Sequence, residues 1–205
     1  MVIRSDASDH VVLVAQIDVV VETQYICVPQ EDAAVFRQMT LKNPLDAPLL
    51  AGPVDVYVDD RYLLCSEIAA VAPGGELHLG LGVEQAIKVA RNVRYDEEPA
   101  GMLKRQQSTV HAVEVSISNT LHRGIKLQVR ERMASAAPGH ENDVQVGIRQ
   151  VVPPWTAYDQ RAAPIEGTYA WAIELAAGEQ RTLKATWAIA MNPSFEIVGG
   201  NRRES

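Results

Sequence analysis

Apolar and polar residues alternate with a period of two along most of the chain. Val113, Val115 and Ile117 fall on one face of an extended strand, whereas the polar residues between them fall on the other. Helical periodicity competes only in short stretches, and we expect at most a turn or two of helix, over 31–39. The pattern therefore predicts an all-β chain. Further strands are predicted in the segments 12–28, 54–60, 76–82, 124–132, 143–151, 168–175 and 181–191.

Glycine, proline and aspartate mark the predicted turns between these strands. The segment 119–124 predicts that the strands on either side of it pair as a hairpin. Asp59 and Asp60 are predicted to form the turn of a second hairpin. Gly52 and Pro53 predict a corner into the strand that follows them, where a positive φ would make the glycine obligatory.

The strands fall into two groups, separated by a polar stretch over 92–108 that carries a proline and a glycine. Short strands without intervening helices are typical of antiparallel sheets packed as a β-sandwich. We therefore predict two packed sandwich-like halves, 1–98 and 99–198, the second of them immunoglobulin-like. The residues 199–205 are predicted to be a disordered tail, and no internal repeat is found in the sequence.

Charge and hydropathy exclude two classes of partner. The formal net charge of −7 and the pI near 5.2 argue against nucleic acid, whose binding rewards clustered Lys and Arg. No run approaches the roughly 20 apolar residues of a membrane-spanning helix, and the first residues lack a signal-peptide pattern. A cytoplasmic location is the default expectation, with an envelope-associated one as the alternative.

The two cysteines, Cys27 and Cys65, both lie in apolar runs. A buried reduced thiol is the usual state of a cysteine in such a run. Two cysteines are also too few to hold zinc by themselves. We expect two buried thiols, with a disulfide between them as the minority alternative.

Part of the chain, 41–92, carries motifs of a known family. It resembles the C-terminal domain of the mucoidy-inhibitor A family, and the second half of the chain is similar more loosely, although "MASAAPG" stands where the family has an "lP.S" segment. The resemblance implies a bacterial all-β domain without an established activity, linked by name to exopolysaccharide production. Full-length members also carry an N-terminal domain, and we expect the partner of this chain to be another protein or such an N-terminal region of its own. The matching residues are Asn43, Leu49, Leu50, Gly52, Pro53, Gly75, Gly82 and Arg91.

No motif in the sequence predicts a particular chemistry. The segment 80–85 imitates a dinucleotide-binding loop but lacks its third glycine, and no serine or cysteine has an activating neighbour. The histidines His10, His78, His111 and His122 are scattered through separate segments. We therefore predict no catalytic residues, no cofactor and no metal.

The segment 151–160 is the best candidate for a contact with a partner. Two prolines stiffen it, and Trp155 and Tyr158 offer apolar area with polar tips. The alternative is that Trp155 folds back and caps one end of the sandwich. The predicted charged rim of this contact consists of Arg149, Asp159 and Arg161.

These observations leave three hypotheses about function. The first is a non-catalytic β-sandwich module that mediates protein–protein interaction, possessing no enzyme activity. The second is a carbohydrate-binding module, which an aromatic platform on a sheet face would favour. The third is a hydrolase whose residues meet only in the fold, which a cleft with displaced pKa values would favour.

Overall fold

The fold was analysed in a computed structural model that describes residues 13–98, 107–136, 139–158, 167–192 and 194–195. These residues contain no helix, and the all-β prediction is confirmed. The expected helical turn over 31–39 is wrong, because that segment forms a strand in the middle of a sheet. The strands within the described residues are β1 (Val21–Val28), β2 (Asp32–Lys42), β3 (Gly52–Val58), β4 (Arg61–Ile68), β5 (Glu76–Val83), β6 (Ile87–Glu98), β7 (Gln107–Asn119), β8 (Ile125–Arg132), β9 (Val144–Val152), β10 (Thr156–Ala157), β11 (Thr168–Leu175) and β12 (Gln180–Met191).

Two sheets pack face to face as a sandwich. The larger sheet has six strands in the order β10-β11-β8-β1-β2-β5, and the smaller has four in the order β6-β7-β12-β9. Neighbouring strands are antiparallel, except that β1 and β8 run parallel, with Tyr25 opposite Leu127. The hairpin of β3 and β4 forms a separate two-stranded sheet.

Strands from both predicted halves share the two sheets. β1, β2 and β5 precede residue 98 and lie in the same sheet as β8, β10 and β11, while β6 pairs with β7 across the predicted boundary. The boundary between 1–98 and 99–198 therefore does not separate two sets of hydrogen-bonded strands. The predicted tail, 199–205, lies outside the described residues.

The hairpin predicted across 119–124 is wrong. β7 belongs to the four-stranded sheet and β8 to the six-stranded sheet, so the connection between them crosses from one sheet to the other. Both strands turn an apolar face inward, and they meet across the core rather than side by side. Alternation is the same in both arrangements because it specifies the buried face and not the neighbouring strand.

The apolar faces of the two sheets form one continuous core. In β8, and in β7 from Val113 onward, every second residue is buried, as the period-two pattern requires. The buried side chains are Tyr25, Cys27, Val35, Ile125, Leu127, Val129, Met133, Trp171, Ile173 and Leu175 on one side and Ile87, Val113, Val115, Ile117, Leu183, Ala185, Trp187 and Ile189 on the other.

A second and smaller apolar cluster lies between β5 and the segment that leads to it from the β3–β4 hairpin. Val71, Leu77 and Leu79 are its buried members. Ile68, at the end of β4, packs against them and connects the hairpin to the body of the molecule. Because this cluster has few buried side chains, apolar packing stabilises the hairpin much less than it stabilises the two main sheets.

Asn119 ties the end of β7 to two neighbouring turns. Its side-chain amide donates to the carbonyl oxygens of Arg123 at 3.0 Å and Ala176 at 2.8 Å. Its Oδ1 accepts from the backbone N–H of Leu121 at 3.0 Å. The residue is fully buried, so these hydrogen bonds replace the ones that water would make.

Asn43 makes the same arrangement after the end of β2. Its amide donates to the carbonyl oxygens of Ala47 at 3.0 Å, Val71 at 3.1 Å and Ala72 at 3.3 Å. Its Oδ1 accepts from the N–H of Leu45 at 3.0 Å. Asn43 is 1% exposed, and the two asparagines therefore play equivalent parts in different regions of the chain.

The turn that each asparagine contacts is also repeated. Gly74 and Gly178 lie in these turns with φ values of 70° and 72°, a conformation that favours glycine. The next residue in each turn, Gly75 or Glu179, accepts a hydrogen bond from the backbone N–H of the asparagine. This local structural repeat was not visible in the sequence, because the two copies share only a few residues at unequal spacing.

The β3–β4 hairpin turns at Asp59 and Asp60, as predicted. Both residues have positive φ values, 50° and 60°, which two-residue hairpin turns of the I′ type require. Gly52 opens β3 with a φ outside the positive range, and a Cβ there would meet no atom within 4 Å. The corner at this position therefore does not require glycine, contrary to the expectation.

Candidate functional site

Trp155 closes one end of the sandwich. Its ring centroid lies 4.8 Å from that of Tyr169 and 4.6 Å from that of Trp171, and 6.3 Å from that of Trp187. The preceding backbone is fixed as well, because the indole N–H of Trp171 donates to the carbonyl oxygen of Pro153 at 2.8 Å. Trp155 is half-buried against the core, the capping position that sequence analysis left as the alternative.

The other predicted contact residues lie on different surfaces. The ring of Tyr158 lies on the outer side of the six-stranded sheet, 4.1 Å below the guanidinium carbon of Arg130. Arg149 instead forms two hydrogen bonds, at 2.6 and 2.7 Å, with the carboxylate of Glu98 and so joins the two edge strands of the four-stranded sheet. The structure does not bring Trp155, Tyr158 and Arg149 together. Asp159 and Arg161 lie outside the described residues.

A buried ion pair crosses the core beside the aromatic cluster. Arg91 of β6 donates to both carboxylate oxygens of Glu131 of β8, at 2.9 and 2.6 Å. The carboxylate is 0% exposed, and burial raises the pKa of Glu131 while the guanidinium opposes that rise. Both oxygens are therefore already engaged, which is the geometry of a structural cross-link between the sheets.

His111 lies near this ion pair, between two aromatic rings. Its imidazole stacks on Trp187 at 5.6 Å and meets the edge of Tyr95 at 4.9 Å. Burial, together with the nearby charge of Arg91, lowers the pKa of His111. Its Nε2 and the indole nitrogen of Trp187 are buried without a hydrogen-bond partner. The displaced pKa values of His111 and Glu131 thus occur inside a packed core region.

Metal ligands do not gather in the part of the chain that the structure describes. No group of three His, Cys, Asp or Glu side chains there is arranged to hold an ion. His78 is exposed and contacts the hydroxyl of Thr40 at 2.9 Å. The described residues also include no helix long and apolar enough to cross a membrane.

The two cysteines have different environments and do not pair. Cys27 is fully buried in β1, and burial, reinforced by Asp32, raises its pKa to about 12. Cys65 is exposed on β4, so the expectation that it is buried is wrong. The reason is that the apolar run around Cys65 belongs to a hairpin with only one covered face. A hydrogen bond to Asp55 contributes most to raising the pKa of Cys65.

The outer face of the six-stranded sheet carries an exposed apolar row. The register places Ile26 of β1 opposite Phe36 of β2, and Phe36 opposite Val83 of β5, so these side chains cross three strands in line. Phe36 and Val83 are 48% and 51% exposed. Arg130 and Tyr158 lie beside this row on the same face. We call the set of Ile26, Phe36, Val83, Arg130 and Tyr158 the sheet-face patch.

The β3–β4 hairpin carries a second exposed surface. The rings of Tyr57 and Tyr62 pack edge to face with their centroids 5.6 Å apart, and both side chains are more than half exposed. Asp55 lies on the same side of the hairpin, opposite Cys65. The exposed Glu67 extends this side toward the base. We call Asp55, Tyr57, Tyr62, Cys65 and Glu67 the hairpin face.

Exposed apolar side chains also precede β1. Leu13, Val14 and Val20 are 76%, 95% and 90% exposed, and the residues 13–20 form no regular structure. Sequence analysis predicted a strand over 12–28, but in the described part of that segment the strand starts only at Val21. The two parts of the segment, 13–20 and 21–28, differ in their pairing. Only the second part pairs with β2, and this pairing begins with Val21 opposite Leu41.

Comparison with known proteins finds a family model and a curated protein that match this sequence. A family model described as "Domain of unknown function (DUF4139)" matches residues 1–193. Protein F37C4.5 of Caenorhabditis elegans is 24% identical over 109 residues, which cover 53% of this chain and 20% of that protein. The match thus extends over about a fifth of the length of this curated relative.

Proposed function

We propose that this chain, which belongs to the DUF4139 family, is a non-catalytic β-sandwich module that binds protein partners through its sheet-face patch. The observation that carries the proposal is the apolar row of Ile26, Phe36 and Val83 on the outer face of the six-stranded sheet, in which Phe36 and Val83 are about half exposed and Ile26 is partly buried. Large apolar side chains in line on a solvent-facing sheet lose free energy on burial and thus favour association.

The composition of the sheet-face patch supports the same proposal. Aromatic residues and arginine are enriched at protein interfaces and in their hot spots. Here the guanidinium of Arg130 is held in place by the ring of Tyr158 and by Gln128, whose Oε1 accepts from Arg130 Nε at 2.8 Å. A side chain that is already ordered loses little conformational entropy when a partner binds.

The experiment compares two substitutions of exposed apolar residues. Phe36→Ser removes the centre of the sheet-face patch, and Val152→Ser changes a residue of similar exposure in the other sheet. Partners retained by the immobilised wild-type domain are identified, purified and titrated against each variant. We expect roughly tenfold or greater loss of affinity for Phe36→Ser, the range of an interface hot spot, and none for Val152→Ser. Equal affinity of both variants would refute the proposal.

The two alternative functions gain less support from the geometry. A carbohydrate platform uses exposed aromatic faces, but Trp171 and Trp187 are 0% and 3% exposed and Trp155 packs against the core. The exposed rings of Tyr57 and Tyr62 meet edge to face and so do not form one flat platform. For a hydrolase, the histidine and the buried carboxylate with displaced pKa values are His111 and Glu131. The carboxylate of Glu131 accepts twice from Arg91, and its burial leaves no exposed oxygen for a substrate.

We further propose a biological setting for this binding, namely an exopolysaccharide or envelope process of a bacterium. The resemblance to the mucoidy-inhibitor A family supports a bacterial protein with a role in exopolysaccharide or envelope processes. An N-terminal region of a longer protein is one form that the partner would take. Deletion of the gene, followed by measurement of secreted polysaccharide with wild-type and Phe36→Ser complementation, tests whether that role depends on the sheet-face patch.

A further inference from the structure

Two exposed surfaces of this molecule have complementary character. The hairpin face is aromatic and acidic, because the segment from Gly52 to Ile68 contains four carboxylates and one guanidinium, a net charge of −3. Both tyrosine rings on it are solvent-exposed. The four acidic residues are Asp55, Asp59, Asp60 and Glu67, all of them exposed.

The sheet-face patch has cationic residues beside its apolar row. On the outer side of β8, Arg130 and Arg132 follow one another at alternate positions, and the register pairs them with Ala170 and Thr168 of β11, neither of which is charged. Farther along the same strand, a cation does have an acidic cross-strand neighbour, since Lys126 pairs with Glu174. The acidic residues Glu31 and Asp32 bound the patch at the turn between β1 and β2.

We propose that the hairpin face of one copy docks on the sheet-face patch of a second copy. Tyr57 and Tyr62 contact the row around Phe36. The carboxylates of the hairpin lie opposite Arg130 and Arg132. The inference rests on the proposed function, because it assigns an occupant to the same patch. It follows from the charge complementarity of the two surfaces and from the aromatic side chains that both expose.

The geometry of this contact has a defined outcome. Because the two surfaces differ, the interface is heterologous, and each copy that joins offers one further hairpin and one further patch. The association therefore produces chains or closed rings, unless two copies exchange hairpins reciprocally in a two-fold dimer. The high net negative charge of the whole chain opposes association at long range, so the contact relies on the local opposite charges.

The test is a charge exchange between the two surfaces. Glu67→Lys places a positive charge on the hairpin face. Arg132→Glu places a negative charge on β8, beside the sheet-face patch. Both residues are exposed and no hydrogen bond within the described residues requires either side chain. Sedimentation velocity over a wide range of protein concentration measures association of the wild type, of each variant, and of the two variants mixed.

We expect concentration-dependent association of the wild type and at least roughly tenfold weaker association of each variant alone, because like charges then face each other. In the mixture, the charges introduced at positions 67 and 132 are opposite, and association returns. A monomeric wild type at every concentration would overturn the inference. So would variants that associate as the wild type does, or a mixture in which association is not restored.

A second pair of variants separates this inference from the proposed function. Phe36→Ser removes the sheet-face patch and is expected to abolish both self-association and partner binding. Glu67→Lys leaves the patch intact and is expected to abolish self-association alone. If self-association is absent but a purified partner still binds in a Phe36-dependent manner, the inference fails while the proposed function stands. If the wild type self-associates through Phe36 but no other partner depends on that residue, the proposed function fails and the inference stands.

Discussion

The corners at Asn119 and Asn43 make the same hydrogen bonds in very different surroundings. Each side chain binds a backbone N–H two residues later and carbonyl oxygens in a distant turn. Asn119, however, lies at the end of the main core between the two sheets, whereas Asn43 lies beside the small cluster of Val71, Leu77 and Leu79. The comparison shows that hydrogen bonds fix the shape of a corner, while the packing around it decides how much structure depends on that shape.

The largest effect is expected for Asn119→Ala. The substitution leaves the partly buried carbonyl oxygens of Arg123 and Ala176 without this donor, and we expect the free energy of unfolding to fall by about 3 kcal/mol. Urea denaturation monitored by intrinsic tryptophan fluorescence measures the change. The matched control is Asn92→Ala on the exposed side of β6, for which a change within about 0.5 kcal/mol is expected. Equal effects would show that the corner does not support the main core.

The next effect, at the other end of the same core, is that of Trp155→Ala. Loss of a half-buried ring that contacts Tyr169 and Trp171 is expected to cost about 2–3 kcal/mol. Tyr57→Ala on the hairpin removes a ring of 61% exposure and is expected to change stability by less than about 0.5 kcal/mol. Thermal unfolding of both variants decides the matter, and a stable Trp155→Ala protein would reassign Trp155 to a contact surface.

A smaller and more local effect is expected for Asn43→Ala. The free energy of global unfolding should fall by about 1–2 kcal/mol, although the side chain of Asn43 makes four hydrogen bonds and that of Asn119 three. Hydrogen exchange should accelerate in β3 and β4, because the hairpin depends on the small cluster, and stay slow in β7 and β12. Exchange that accelerates uniformly over both sheets would mean that the two corners belong to one cooperative unit.

The smallest effect concerns two histidines, one in each region. The lowered pKa of His111 implies stability that is present above the unfolded value of about 6.5 and is lost as pH falls through the folded pKa. His111→Phe keeps the stack on Trp187 and is therefore expected to lose less stability on acidification than the wild type. The exposed His78 gives the comparison in the other region, with His78→Phe measured under the same conditions. Melting temperatures between pH 8 and pH 5 give the comparison.

Comparison of His111→Phe with the wild type isolates the contribution of His111 to the pH dependence of stability. This is needed because another buried group changes stability with pH in the opposite direction. Burial raises the pKa of Glu131, so its contribution is present at low pH and decreases as pH rises through the folded pKa. The wild-type profile contains both contributions. A steeper acid loss in His111→Phe than in the wild type would contradict the assignment.

Period-two alternation predicted most of the strands but not their partners. The rule specifies which side chains face the core, and this is why Val113, Val115 and Ile117 were placed correctly. It carries no information about whether β7 continues into a neighbouring strand or crosses to the opposite sheet. The same limit applies to β1 and β8, whose pairing joins segments that are far apart in the sequence.

The candidate surfaces were harder to predict than the strands. Trp155 and Tyr158 are three residues apart, yet their segment passes from one sheet to the other, and the two rings contact different surroundings. Phe36 was missed because the segment around it has good helix formers, which the pairing of β2 on both sides overrides. A large aromatic residue on the polar side of an alternating strand would have been the signal.

The parallel pairing of β1 with β8 has a consequence for the order in which the chain folds. Residues 25–27 meet their partners only when residues 127–129 are present, so the six-stranded sheet requires more than half of the sequence before it forms. During synthesis from the N-terminus, the edge of β1 that pairs with β8 remains unpaired throughout the time that β2 to β7 are being made. Contacts between such distant segments slow folding and prolong the exposure of apolar surface. We therefore expect nascent chains that end before residue 125 to bind chaperones that recognise exposed apolar strands, and chains released after residue 191 to escape them.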